Sequence, residues 1–179
     1  ALIVSGEDYG EGASVIQERT LSMAMKSSMW MVDPRPNLTS IVDTVEKSFE
    51  LSEASNTPVI MQLRVRACHV QGRFTAKNNV RPPVSTRNRQ ADPAVFNYGH
   101  LAHPPVTFVQ EKLKIDQRLP AALKYIRDND INEFFDGDID RLGIIVPGGL
   151  YNTLIRRLAS TRWCRTRSPN SPPARMPCW

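Results

Sequence analysis

The chain begins with the sequence ALIVSGEDYG (residues 1–10), an apolar run that ends in an acidic turn bracketed by glycines. This pattern is typical of a buried parallel strand that delivers polar side chains at its carboxyl end, where open α/β sheets bind their ligands. Because the apolar run starts at the first residue, we expect the chain to be a piece of a larger α/β enzyme.

Two amphipathic helices are predicted after this strand. Apolar residues recur at helical spacing over residues 14–25, where Ser14 can serve as the N-cap. The pattern is clearest over residues 37–52, where Asn37 or Thr39 can cap the helix. Each helix is expected to bury one face and expose the other.

Short apolar runs separate and follow these helices. They predict strands over residues 29–32 and 59–66, the second of which becomes charged toward its end. Strand, helix, strand, helix, strand is the order of a parallel sheet with right-handed crossovers. The sequence therefore predicts an α/β fold, a parallel sheet with helices on both faces.

Regular patterns return only after a long irregular stretch. Residues 72–106 are rich in proline and basic residues, which is typical of a functional loop or an interdomain connection. Helices are predicted over residues 107–117 and 120–129, and a strand over residues 141–146 precedes a glycine turn and a helix over residues 150–158. That last unit resembles the start of a second α/β domain.

We therefore divide the chain into four parts. They are the carboxyl-terminal part of a first α/β domain (residues 1–72), an irregular and then helical linker (73–140), the first strand and helix of a second α/β domain (141–158), and a basic, proline-rich tail (159–179).

Positive charge is concentrated at the end of the chain. The net charge is +5, from 23 Lys and Arg against 18 Asp and Glu. Six of the arginines lie in residues 156–179, which contain no acid, so the remainder has 17 basic residues against 18 acids, or −1. The basicity therefore belongs to the tail and not to the α/β body.

Two interpretations of the tail remain open. A disordered basic segment with Trp163 and Trp179 could bind RNA or an acidic partner, which would make the chain an α/β binding module. Alternatively, the tail is not native coding sequence, because two of the three cysteines and two of the three tryptophans crowd into it. We favour the second interpretation and expect no nucleic-acid partner.

Cysteine usage and hydropathy indicate the compartment. Cys68, Cys164 and Cys178 are an odd number without paired spacing, so reduced thiols are expected and no disulfide framework or cysteine-rich metal motif is predicted. No run approaches the roughly 20 apolar residues of a membrane helix. We therefore expect a cytoplasmic protein that does not bind a membrane.

Four ordered blocks resemble a known family. They are GEDYGEGAS (6–14), FELSE (49–53), PVIMQLRVRACH (58–69), and LGIIV with GGLYN (142–146 and 148–152). Their order and spacing resemble the pyrimidine-binding region of the alpha subunit of indolepyruvate ferredoxin oxidoreductase, in the thiamine diphosphate-dependent 2-oxoacid:ferredoxin oxidoreductase family. The resemblance covers residues 1–158, and its specificity comes from the four blocks together.

The resemblance implies an oxidoreductase of the thiamine diphosphate pyrimidine-binding type. Such an enzyme decarboxylates indolepyruvate or another arylpyruvate oxidatively to an acyl-CoA and passes the electrons through iron–sulfur clusters to ferredoxin. Its cofactors would be thiamine diphosphate with Mg²⁺ and the clusters. Its partners would be the 2-oxoacid, coenzyme A, ferredoxin and a second subunit or fused gamma-type domain, in a dimer of the full enzyme.

The same resemblance implies that most of the catalytic equipment lies outside this chain. The glutamate that activates the cofactor would lie upstream, and the diphosphate–Mg²⁺ and cluster motifs would lie downstream. We therefore assign no catalytic residue and no metal ligand within the chain. The isolated chain is expected to be inactive and to bind none of these cofactors.

Five residues are candidates for a position near the cofactor or substrate. Glu7 and Asp8 end the first strand and could line the site, or could cap the following helix. Arg19 could bind a substrate carboxylate, although a surface ion pair is the commoner fate of such an arginine. Arg66 and His69 match an Arg-x-x-His at the end of the equivalent family strand, and could lie at the active cleft or at the domain seam.

A glycine turn and two metal-like patterns complete the candidates. Gly148 and Tyr151 match the family turn and are assigned to the domain seam, although a glycine turn before a helix is weak evidence of ligand binding. The acidic stretch at residues 136–140 is not predicted to be a calcium loop. Counted from Asp136, the sixth position is Arg141 where such a loop needs Gly, and the twelfth is Pro147 where it needs Glu. A zinc site from Cys68, His69, His100 and His103 is not expected, because adjacent strand residues point apart.

Overall fold

The computed structural model describes residues 1–8, 19–80, 96–136 and 141–160, with the side chains of the last segment described to residue 158. The amino-terminal elements alternate between strand and helix: β1 (Leu2–Glu7), α1 (Thr20–Ser27), β2 (Trp30–Val32), α2 (Leu38–Ser55) and β3 (Val59–Arg64). A single helical turn, α3 (Val65–Cys68), follows β3 directly. The predicted order of elements is therefore confirmed for this part of the chain.

The three strands form one parallel sheet in the order β1-β3-β2. Both outer strands pair with β3 in register, so that Leu2 and Trp30 each lie beside Val59. The chain crosses over the position of β3 to reach β2 and then returns to the centre. The protein therefore has an α/β fold, and the last strand in sequence is the central one.

The first strand lies at an edge of the sheet, which corrects the expectation that it is buried. Ile3 is 47% exposed and Val4 is 56% exposed. In contrast, Val59 and Met61 of β3 are fully buried. The apolar run at residues 1–4 resembles a central strand because apolar content does not report strand order. In this sheet the interior position is taken by β3.

Helix α2 covers one face of the sheet. Asn37 caps it as predicted, with its side chain accepting a hydrogen bond from the Ser40 backbone N–H at 2.8 Å. At the other end, Trp30 donates its ring N–H to Ser55 Oγ at 2.8 Å. Leu51 of α2 is 1% exposed and packs in the main core cluster with strand residues that share this face. The buried members of that cluster are Val32, Leu51, Val59, Met61 and Ala122.

Helix α1 covers the opposite face. Its first residue, Thr20, bonds through its hydroxyl to Ser5 Oγ at 3.0 Å, and its backbone N–H donates to Glu7 Oε1 at 3.3 Å. Ser5 and Glu7 alternate with the strand residues that face α2. Helices on both faces are therefore confirmed, as right-handed crossovers require when the two connections run in opposite directions across the sheet.

The second half of the described chain is mainly helical. It contains α4 (Val106–Leu113), a π-helical segment (Lys114–Arg118) and α5 (Leu119–Asp128), close to the two predicted helices. Helix α5 packs on α2, where Ala122 enters the core and Lys47 Nζ donates to the Asn129 carbonyl at 2.8 Å. Of the helices predicted as a linker, α5 thus packs on α2.

The strand predicted over residues 141–146 is not formed. Residues 142–145 have no regular structure and Val146 is only a bridge residue. The helix predicted next is present as α6 (Tyr151–Ser160), after a 3-10 turn at Gly148–Leu150. Among the described residues, no strand pairs with residues 142–145, and Leu142 and Ile145 are exposed. Helix α1 begins at Thr20, with Arg19 at its N-cap, and not at the predicted Ser14. Ser14 itself and the basic tail lie outside the described residues.

Candidate functional site

The carboxyl ends of the three parallel strands meet at one edge of the sheet, the carboxyl edge. β1 ends at Glu7 and β3 at Arg64, and these two residues are register partners. β2 ends at Val32, so Asp33 is the first residue beyond it. Ligands of open α/β sheets bind at this edge. The carboxyl edge therefore brings the acidic residues Glu7 and Asp33 close to the basic residue Arg64.

Asp33 is held between β3 and the glycine turn before α6. Only 3% of its side chain is exposed. Oδ2 accepts a hydrogen bond from Arg64 Nη2 at 3.4 Å, and Oδ1 accepts one from the Gly149 backbone N–H at 3.0 Å. Burial raises the pKa of Asp33, and this effect outweighs the Arg64 charge and the Gly149 hydrogen bond, which lower it. Asp33 is therefore a buried carboxyl that faces a cationic side chain.

Glu7 is turned into the protein and away from solvent. It is 5% exposed, and Oε2 accepts a hydrogen bond from Gln62 Nε2 while Oε1 faces the first N–H of α1. A carboxylate at a helix N-terminus is stabilised by the helix dipole. Glu7 was predicted either to line the site or to cap the following helix. The structure shows the contact with the N-terminus of α1, on the face of the sheet that α1 covers.

Two polar atoms at the carboxyl edge are buried without a hydrogen-bond partner among the described residues. They are Asp8 Oδ1 and Arg64 Nε, one acceptor and one donor. Buried polar atoms are nearly always satisfied in folded proteins, so each unsatisfied one calls for a partner. Arg64 therefore keeps one N–H that its ion pair with Asp33 does not use.

The glycine turn lies against the ends of β2 and β3. A Cβ atom at Gly148 would overlap the Asp33 carbonyl oxygen and lie 2.9 Å from the Pro34 carbonyl carbon. One at Gly149 would lie 2.6 Å from Arg64 Cδ. Only glycine lets the backbone approach this closely. The turn is therefore part of the carboxyl edge, which gives Gly148 a packing role that its sequence pattern alone did not establish.

Aromatic rings and a cation hold α6 beside the same edge. The Tyr151 and Phe135 ring centres are 5.4 Å apart. The Arg35 guanidinium lies 5.2 Å from the centre of the Tyr151 ring and donates to Glu133 Oε1 at 2.5 Å. The cation–π contact joins the loop after β2 to α6, and the ionic contact joins that loop to the segment that follows α5. Tyr151 thus has a structural role in the contact between these two segments.

A cavity of about 610 Å³ opens beside Asp33. It lies between the loop after β2, the first half of α2 and the residues that follow α5. Apolar side chains and six charged side chains line it, the latter being Asp33, Arg35, Asp43, Lys47, Asp130 and Glu133. Its volume is in the range of small-molecule sites. Asp33 therefore belongs both to the carboxyl edge and to the wall of a cavity.

The other candidates lie nearer the surface. Arg19 is exposed just before α1, and Arg66 is exposed on α3. His69 is the exposed C-cap residue of α3, and its backbone N–H donates to the Val65 carbonyl at 3.3 Å. Because β3 ends at Arg64 and not at Arg66, the predicted strand position of Arg66 and His69 is wrong. The helical turn carries them beyond the strand end.

Asp33 and Arg64 are the residues that sequence reasoning missed. Asp33 directly follows the strand predicted over residues 29–32, and Arg64 lies within the strand predicted over residues 59–66. The rule that singled out Glu7 and Asp8 applies equally to them, since each stands at the end of a parallel strand. The end of β3 was predicted two residues too late, which concealed Arg64. Strand β2 ends at Val32 as predicted, so only the contact of Asp33 with Arg64 was missed there.

Within residues 1–8, 19–80, 96–136 and 141–160, no group of three or more His, Cys, Asp or Glu side chains is placed to hold a metal ion. No described helix has the length and apolar character needed to cross a membrane. Residues 137–140 of the acidic stretch lie outside the described part.

Comparison of the chain with protein-family models, with curated proteins and with solved structures finds no match in any of the three. The function must therefore be argued from the sequence blocks and from the geometry of the carboxyl edge.

Proposed function

We propose that this chain forms part of a thiamine diphosphate-dependent 2-oxoacid:ferredoxin oxidoreductase that acts on indolepyruvate or another arylpyruvate. The supporting observation is the meeting of three of the resemblance blocks at the carboxyl edge. GEDYGEGAS contributes Glu7 and Asp8, PVIMQLRVRACH contributes Arg64, and GGLYN contributes Gly149. Blocks that are distant in sequence and converge on a ligand-binding edge are what a common site requires.

The chain's own residues fit one wall of such a site and not a complete cofactor site. Thiamine diphosphate would supply the electron sink for decarboxylation when bound. The resemblance implies that the diphosphate and Mg²⁺ motifs lie elsewhere in the complete protein, so neither group is assigned to the described residues. Asp33 and Arg64 would present a buried carboxyl and a positive charge at this wall, beside the neighbouring cavity.

Activity of the complete protein tests this proposal. Purified anaerobically with its clusters and cofactor loaded, the protein that contains these residues should reduce a viologen dye or ferredoxin when given an arylpyruvate and coenzyme A. Acyl-CoA should form in step with reduction. The isolated 179-residue chain is the control, for which we expect no turnover and no heat of binding on titration with thiamine diphosphate and Mg²⁺.

Two results would contradict the proposal or part of it. A loaded complete protein that is inactive with every 2-oxoacid offered would overturn the assigned reaction. Micromolar binding of thiamine diphosphate by the isolated chain would overturn the placement of the cofactor site outside these residues, while leaving the reaction class open to the first assay.

A further inference from the structure

The cavity beside Asp33 has an apolar wall built from core residues. Trp30 and Val32 of β2 and Leu51 of α2 belong to it, and so does Ile126 of α5. Val32 is 8% exposed and Leu51 is 1% exposed, so this wall is continuous with the packed core. A cavity of about 610 Å³ with such a wall can bury the apolar body of a small molecule.

The polar wall of the cavity along α2 offers hydrogen-bond acceptors. Thr44 Oγ1 donates its proton to the Ser40 carbonyl at 2.7 Å, and Ser48 Oγ donates its proton to the Thr44 carbonyl at 2.6 Å. A hydroxyl that gives its proton to the helix backbone keeps only lone pairs for a ligand. Thr44 and Ser48, which both line the cavity, therefore suit a ligand that donates hydrogen bonds.

Acidic side chains outnumber basic ones in the cavity wall. Four acids line it against two bases, Arg35 and Lys47. Two of the acids are already paired, since Asp33 binds Arg64 and Glu133 binds Arg35. The other two acids, which are the residues of interest for a ligand, make no such pair among the described residues.

These two acids, Asp43 and Asp130, lie in one part of the wall. Lys47 Nζ donates to the Asn129 carbonyl at 2.8 Å. Asp43 is one helical turn before Lys47, and Asp130 directly follows Asn129, so this hydrogen bond brings the two acids to the same region. Both are exposed, which places them where the cavity opens to solvent.

The surroundings of the two acids favour an organic cation over a metal ion. Within the part of the chain that the structure describes, no three His, Cys, Asp or Glu side chains are placed together as metal ligands. Lys77 is close enough to Asp43 to interact with its charge, but its ammonium pairs with Glu46 and does not line the cavity. An ammonium ligand needs only carboxylates and other acceptors around its N–H groups.

We propose that this cavity binds an organic ammonium compound with a small apolar body. The ammonium group lies at Asp43 and Asp130 and donates hydrogen bonds to acceptors of the wall, while the apolar body packs against Val32 and Leu51. A cationic donor thus meets an excess of acids, and an apolar body meets an apolar wall. The proposal does not rest on the reaction proposed above.

Titration with phenethylamine, a small aromatic ammonium compound, tests this site. In NMR spectra of the isotope-labelled 179-residue chain, the amides of Thr44, Ser48 and Ile131 should shift as phenethylamine is added. The dissociation constant should be about 0.1 to 1 mM, as expected for a ligand of this size. Hydrocinnamate, which carries a carboxylate on a similar body, should bind at least about tenfold more weakly.

Removal of the two carboxylates provides the second test. The double substitution Asp43→Asn and Asp130→Asn keeps the side-chain shape and should raise the dissociation constant for phenethylamine at least about fivefold. Asp116→Asn is the matched control, because Asp116 is exposed on the segment between α4 and α5 and does not line the cavity. It should change the constant by less than about twofold.

Three results would contradict the proposal. The first is the absence of amide shifts at the cavity with phenethylamine at up to about 10 mM. The second is equally tight binding of hydrocinnamate. The third is a double variant that binds phenethylamine as tightly as the wild type, which would show that the two carboxylates do not hold the ammonium group.

Discussion

Gly148→Ala is expected to lower the free energy of unfolding by about 3 kcal/mol. The added methyl group would overlap the Asp33 carbonyl oxygen and press on the Pro34 carbonyl carbon, both of which are backbone atoms. Neither can move aside without shifting the end of β2. Because Asp33 binds the next residue, Gly149, the same shift would loosen the carboxyl edge. Urea unfolding followed by circular dichroism measures the change.

Gly143→Ala provides the matched control for this prediction. A Cβ atom at Gly143 would have no neighbour within 4 Å. Its effect should stay within about 0.5 kcal/mol, and a small stabilisation from the less flexible unfolded chain is compatible with this expectation. Equal effects of the two substitutions would mean that the glycine turn does not pack against the end of β2.

Leu51→Ala is expected to cost about 3 to 4 kcal/mol of stability. Leu51 is 1% exposed and lies in the cluster that joins α2, the sheet and Ala122 of α5. Its loss removes buried apolar surface and leaves a cavity between these layers. The denaturation midpoint should fall while the dependence of unfolding free energy on urea stays the same, as expected when only the native state loses contacts.

Leu123→Ala is the control for this second substitution. Leu123 lies on α5 and is 47% exposed, so the same chemical change removes little buried surface. Leucine and alanine have similar helix propensities, which leaves burial as the main difference between the two sites. A cost at Leu123 as large as that at Leu51 would show that α5 is buried against another surface.

Local signals in the sequence predicted most of the sheet layer. The Asn37 cap of α2 follows from neighbouring residues, and the structure confirms it. The apolar stripe is confirmed only in part, because Leu51 is buried whereas Phe49 is 51% exposed. The order of strand and helix also follows from local periodicity. Strand order does not, because it depends on which apolar surfaces meet across the sheet. The first apolar run was therefore expected to be buried and lies at the edge.

The run at residues 141–146 was predicted to be a strand, and the structure does not contain this strand. Its apolar residues match a strand in isolation, but a strand needs a neighbour to satisfy its backbone hydrogen bonds. The described chain offers it only a bridge at Val146. Tertiary contact decides the outcome for such short runs, and a single sequence carries no information about that contact.

The candidate site was predicted in position and only partly in its residues. The carboxyl edge was the expected place, and Glu7 lies there. Asp33 and Arg64 were missed because their pairing joins β2 to β3, a contact between residues that are distant in sequence. The sequence does not indicate the packing role of Gly148, because the close approach of two backbone segments depends on the tertiary structure.

Titration of Asp33 with the Gly149 amide as reporter tests most directly whether the separate blocks meet at the carboxyl edge. Burial raises the pKa of Asp33 above its ordinary value of 3.8, and Gly149 donates to the same carboxyl. In NMR spectra the Gly149 amide proton should therefore shift with the Asp33 carboxyl carbon, with a common midpoint above 3.8, and Asp33→Asn should abolish that transition. A Gly149 amide that does not respond, or an Asp33 midpoint at or below 3.8, would contradict the account.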